Sequence, residues 1–154
     1  MKTPVEIASF AATGTSIIEG DLVIGSDSED AEEIKDISAL GMLKEIEGNI
    51  IIRNSYTGGT LIGLDNITKI GGLLIGSEKN PAANETLEMV SMTKLNEVTG
   101  NIHVYNNGVK IVQFDLLKAI EGDFVISSST LATLQIPELI NVGGALNIFG
   151  HEKS

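Results

Sequence analysis

One phrase recurs six times along this chain: an apolar residue, any residue, a glycine, any residue, and then apolar residues in alternation. It is carried by Ile18, Gly20, Leu22 and Ile24; by Ile46, Gly48, Ile50 and Ile52; and by Ile70, Gly72 and Leu74. Val98, Gly100, Ile102 and Val104 repeat it, followed by Ile120, Gly122, Phe124 and Ile126, and by Val142, Gly144, Leu146 and Ile148. Successive glycines stand 28, 24, 28, 22 and 22 residues apart. That spacing allows one supersecondary unit per repeat, too small to bury its own apolar face and dependent on its neighbours. The expected fold is an all-β solenoid, a parallel β-helix of about six coils.

Within each repeat the apolar period changes. After the glycine it is two, as in a short strand with one buried face. Later it becomes three: Ile34, Ile37, Leu40, Leu43 and Ile46; Leu61, Leu64, Ile67 and Ile70; Met89, Met92, Leu95 and Val98; Ile111, Phe114, Leu117 and Ile120; and Ile136, Leu139 and Val142. A period of three fits neither an α-helix nor a strand, but it suits corners and short 3₁₀ or extended pieces with one inward side chain in three. Length differences between repeats are expected in surface loops at 27–33, 55–59 and 77–85. Residues 1–16, with Val5, Ile7 and Phe10, match the repeat poorly and are expected to form an N-terminal cap or linker. The β-helix domain then spans 17–149 and a tail 150–154, leaving an open C-terminal edge that points to homodimerisation or continuation.

With 42% hydrophobic residues, 154 residues are enough for one packed domain. The net charge of −11 argues against nucleic acid and anionic membrane surfaces, both of which are bound through Lys and Arg. No apolar run is long enough to insert in a bilayer. Cysteine is absent, which removes disulfides, thiolate nucleophiles and cysteine-held metals. The start of the chain lacks the basic and then apolar stretch of a secretory signal.

The run of leucine-spaced residues into the glycine phrase, from Leu40 to Ile52 and again from Leu117 to Ile126, resembles the receptor L-domain. The likeness covers residues 17–149, and Gly63, Ile67, Ile70 and Gly72 follow it too. It implies a right-handed, leucine-rich β-helix and a role in extracellular or cell-surface recognition. The chain departs from the receptors in lacking their stapling cysteines, which brings it nearer to cysteine-free bacterial surface proteins, and in a third strand that reads one residue short.

Between the inward residues, each strand presents outward ones. Val23, Ile51, His103, Val125 and Asn147 are expected in one outward column, and Gly25, Arg53, Tyr105, Ser127 and Phe149 in the next. Exposed apolar area of this kind marks a contact surface, although β-branched residues also simply suit strands and loops can cover a sheet. The candidate binding residues are therefore Ile51, Arg53, His103, Tyr105, Val125 and Phe149, with Arg53 and Tyr105 as anchors.

Asp21, Asn49, Asn101 and Asp123 follow four of the glycines. Asp21 and Asp123, four repeats apart, are separated by roughly 19 Å, too far for a glycosidase pair. A turn-and-ladder role fits them better. The carboxylates of 27–33 lack any EF-hand spacing and read as a solvated charge run, with calcium as the other reading. Two histidines, His103 and His151, do not form a zinc motif, and Ser127 to Thr130 lacks a nucleophile elbow. No cofactor or metal is expected. The function expected is a non-catalytic recognition or scaffold module at a cell surface, binding a protein or glycan, with a polysaccharide lyase or hydrolase as the alternative.

Overall fold

The structure, a computed structural model, describes residues 2–28, 30–76 and 86–149, the side chain of Phe149 excepted. The expected loop at 77–85 and tail at 150–154, and Glu29 within the acidic loop, lie outside the described residues.

The chain opens with helix α1 (Pro4–Ala11), then strands β1 (Ile17–Ile18) and β2 (Leu22–Ile24) and a 3₁₀ turn at Ser38–Leu40. Two long strands follow, β3 (Glu45–Ile52) and β4 (Lys69–Gly76), then β5 (Met89–Ser91), β6 (Glu97–Val98) and β7 (Ile102–Tyr105). The same triplet of short strands returns as β8 (Ile111–Gln113), β9 (Ala119–Ile120) and β10 (Phe124–Ser127), and as β11 (Thr133–Gln135), β12 (Asn141–Val142) and β13 (Leu146–Phe149).

These strands form an open ten-stranded sheet and a separate sheet of three, β11-β8-β5. In the large sheet the path runs β12-β9-β6-β4-β7-β10-β13, and β3 beside β4 carries β1 and β2. Its two branches meet because β3 and β4 run unbroken through both the Ile-x-Gly segment and the strand after it, whereas the later repeats split these into two strands. The expectation of an all-β solenoid, a right-handed parallel β-helix of about six leucine-rich coils, is corrected here. Neither sheet closes, the two are unequal and separate, and the chain opens with a helix. The repeat was legible because equivalent residues pair in parallel register, and that pairing alone does not dictate closure.

The core is made of registered columns. Ile46, Ile70, Val98 and Ile120 form one; Ile50, Leu73, Ile102 and Phe124 a second; and Ile52, Ile75, Val104 and Ile126 a third, all at most 4% exposed. Each such side chain contributes roughly 1.5–3 kcal/mol by burial.

Two expected details shift. In the third repeat the inward strand residue is Leu73, not Leu74. A β-bulge in β3 between Ile46 and Asn49 absorbs the missing residue, so Ile50 pairs with Leu73 and Ile51 with Leu74. Met89 and Ile111 likewise do not point inward. The buried residues are Leu87, Val90, Met92 and Leu95, then Val109, Val112, Phe114 and Leu117, a spacing of three, two and three. The step of two is the strand β5 or β8, where alternate residues change faces.

At the N-terminal end, Thr3 Oγ1 accepts from Glu6 N at 3.1 Å to cap α1, and Pro4 occupies the first turn, where its missing N–H costs nothing. Ile7 is buried, Phe10 packs on the core, and the helix lies against the 3₁₀ turn.

Candidate functional site

The pairing register places Ile51, Leu74, His103, Val125 and Asn147 side by side, with Val23 beside Ile51 at the first strand. Sequence reasoning missed Leu74, and the signal that could have found it is that Gly72 is followed at once by an apolar residue, Leu73, where Gly20, Gly48, Gly100 and Gly122 are each followed by Asp or Asn. Each column member is partly covered by its neighbours; Val125, between His103 and Asn147, is only 9% exposed. The apolar floor is therefore formed by half-buried side chains in mutual contact with the sheet, and it does not stand free in solvent.

A shallow depression of about 170 Å³ opens on this face. Ile51, Leu73, Leu74 and His103 line it together with Asn49 and Asn101. Its chemistry is an apolar bed with two carboxamides at its margin, a combination able to take a partly apolar group and fix its orientation by hydrogen bonds. His103 Nε2 is buried without a hydrogen-bond partner among the described residues. The imidazole meets the Tyr105 ring edge-on, with centroids 5.7 Å apart.

The anchors sit in the adjoining column. Gly76 pairs with Tyr105, Tyr105 with Ser127 and Ser127 with Phe149, while Arg53 follows Ile52, the partner of Ile75. Gly76 thus lies between Arg53 and Tyr105. Its φ of +73° belongs to glycine, and a Cβ there would strike the Tyr105 carbonyl, so no side chain separates the two anchors. Arg53 is exposed, with Nη1 3.5 Å from Asp27 Oδ2. A second depression of about 380 Å³, lined by Lys2, Val23, Gly25, Ser26 and Arg53, adjoins it. The structure brings Ile51, His103, Tyr105 and Val125 together with Arg53 at one side; the side chain of Phe149 lies outside the described residues.

The carboxylates that invited a catalytic reading are engaged with backbone. Asp21 Oδ1 accepts from Asn49 N at 2.7 Å, Asn101 Oδ1 from Asp123 N at 2.7 Å, and Asp123 Oδ1 from Ala145 N at 2.8 Å. In these three cases one repeat thereby supplies the acceptor for the next repeat's bend. In the acidic loop, Asp27 Oδ1 accepts from Asn54 N at 3.0 Å and Glu33 from Thr57 Oγ1 at 2.6 Å. Among the described residues no three such side chains are grouped to hold a metal ion. Ser128 is fully buried and donates to the Val109 carbonyl at 2.6 Å, while Thr130 Oγ1 donates to the Asn107 carbonyl, so this serine-rich segment ties a corner. Among the described residues no helix is long and apolar enough to cross a membrane. No family model, no curated protein and no solved structure matches this chain.

Proposed function

We propose that this protein is a non-catalytic recognition or scaffold module of a cell surface or the extracellular space. It binds a protein or glycan through the strand face of Ile51, Leu74, His103 and Val125, with Arg53 and Tyr105 as anchors. The observation that carries the reading is the depression on that face, where an apolar bed from three neighbouring strands meets the amides of Asn49 and Asn101. Such a mixture suits a sugar ring or a peptide side chain, each apolar on one side and polar at its rim. The net charge of −11 favours neutral or cationic partners over polyanions. The sequence likeness to receptor L-domains supports the extracellular setting.

Affinity electrophoresis through neutral and acidic polysaccharides, with the gels also assayed for cleavage, tests this reading. Retardation without products, relieved by Arg53→Ala with Tyr105→Ala, is the expected result for a glycan partner. Retardation that ignores the double variant removes this face from the proposal, and cleavage products replace it with an enzyme. Without retardation the same double variant is tested against protein partners.

A further inference from the structure

The last repeat differs from the others in a way that an open edge alone does not explain. Its inward residues are uncovered: Leu146 is 55% exposed where its registered neighbour Phe124 is fully buried, and Ile148 is 37% exposed where Ile126 is fully buried. Any final strand of a stacked sheet would show this. The outward positions have changed as well. The backbone ladder that runs through Ser16, Lys44, Thr68, Asn96 and Lys118 is exposed and polar at every rung until it reaches Ile140, which is 86% exposed.

The same substitution pattern holds across the repeat. Pairing between β8 and β11, β9 and β12, and β10 and β13 keeps one constant offset, so Lys110, Asp115, Lys118, Glu121 and Asp123 are matched by Ala132, Pro137, Ile140, Gly143 and Ala145. Every charge of the preceding repeat is gone, and Glu138 is the single charged residue between 131 and 149. Exposed sheet edges are ordinarily protected by charge, lysine above all. Among the described residues, β11, β12 and β13 are the edge strands at one end, with that protection removed. The opposite end carries the helix α1.

We propose that the last repeat, residues 131–148, is an interface for a second copy of this chain, the two joined end to end about a two-fold axis. The charge distribution selects that occupant. Two chains of net charge −11 repel one another over most of their surface, and least where the charges are missing. A two-fold contact uses the same patch on both partners, so the apolar Ile140, Leu146 and Ile148 of one copy meet their own kind. The free edge of β13 then faces an identical strand running antiparallel to it.

Sedimentation velocity on the 154-residue chain, over a range of concentrations, tests the proposal with two variants. Ile140→Lys and Ala132→Lys restore the charges that Lys118 and Lys110 hold in the preceding repeat, at positions exposed enough to leave the fold intact, as an unchanged circular dichroism spectrum will verify. Both lower the net negative charge, so a loss of association cannot come from greater overall repulsion. The expected result is a dimer whose Kd rises at least about tenfold in each variant, roughly the effect of placing an unpaired charge in a contact. A chain monomeric up to about 1 mM overturns the proposal, since association that weak organises no interface. A dimer indifferent to both variants overturns it by placing the contact elsewhere. A series of higher species overturns the two-fold arrangement, because head-to-tail addition does not close.

Discussion

Residues 34–46 and 109–120 do the same job, carrying the chain across the molecule from one strand of the large sheet to the next, and they do it with different backbones. In the early segment the buried residues Ile34, Ile37, Leu40, Leu43 and Ile46 keep a strict spacing of three around a 3₁₀ turn, whose own period is three. In the later one, Val109, Val112, Phe114, Leu117 and Ile120 include a step of two, because β8 is a true strand paired on both sides. Among the described residues, a small second sheet therefore occurs in the later half and not in the early one. The early half replaces it with loops, a bridge between Ile34 and Tyr56, and Gly63, whose φ of +121° and contact with the Ile37 carbonyl leave no room for a side chain. The same inward columns are thus reached by two local conformations, and the step between buried residues reports which is used.

The largest effect is expected in the later half. Phe114 is fully buried and stands against Phe124 with ring centroids 6.3 Å apart, within the one hydrophobic core cluster. Phe114→Ala should cost about 3–5 kcal/mol in urea unfolding. A loss below about 1.5 kcal/mol would mean that the later half repacks freely, and the contrast with the early loops would lose its basis.

The early half carries a liability at alkaline pH. Tyr56 is buried and its hydroxyl donates to the Thr60 carbonyl; burial, reinforced by the Asp36 carboxylate, pushes the phenol up to about 12. Below its ordinary value of 10.0 the phenol is neutral in the folded and unfolded chain alike, and its contribution is complete. As pH rises from there towards about 12, the unfolded chain gives up a proton that the folded one retains, so stability falls. The loss should approach about 2 kcal/mol between about pH 9 and about pH 12 in urea titrations. Tyr56→Phe is expected to abolish that alkaline loss while costing about 1 kcal/mol at neutral pH from the missing hydrogen bond. An identical alkaline loss in the variant would assign it to other groups.

The repeat, the parallel pairing and most of the core were legible because each rests on a period that apolar residues write directly into the sequence. Ile46, Ile70, Val98 and Ile120 could be aligned by eye and do pair. Closure into a solenoid was not written there, since a period says which residues share a column and nothing about how sheets join. The errors at Met89 and Ile111 came from extending the early period of three into segments where a strand changes it to two. Leu74 was misplaced because the bulge that corrects its frame lies in β3, in the preceding repeat. The outward face followed once strand alternation was assumed, whereas the depression beside Asn49 and Asn101 depends on side chains from three strands and has no signature in any one of them.

The chain of side-chain acceptors supplies the finest test of where early and late halves part. Asp21 serves Asn49 N, and Asn101 and Asp123 serve Asp123 N and Ala145 N, but at the third repeat the position is glycine. A Cβ on Gly72 would meet both Asn49 Oδ1 and the Asn101 carbonyl, and the Leu73 N–H turns to that carbonyl at 2.8 Å. The acceptors therefore form two runs, broken where the bulged strand joins the halves. Asp21→Ala and Asn101→Ala should each cost about 1 kcal/mol, the usual worth of one exposed hydrogen bond to a bend. Because three strand spacings, about 14 Å, separate them, the double variant should show the sum. Asn101→Ala with Asp123→Ala, consecutive members of one run, should fall short of additivity by about 0.5 kcal/mol or more, since the first loss already loosens the bend that presents the second acceptor. Additivity in both pairs would make every rung independent, while coupling across the glycine would join the halves into a single ladder.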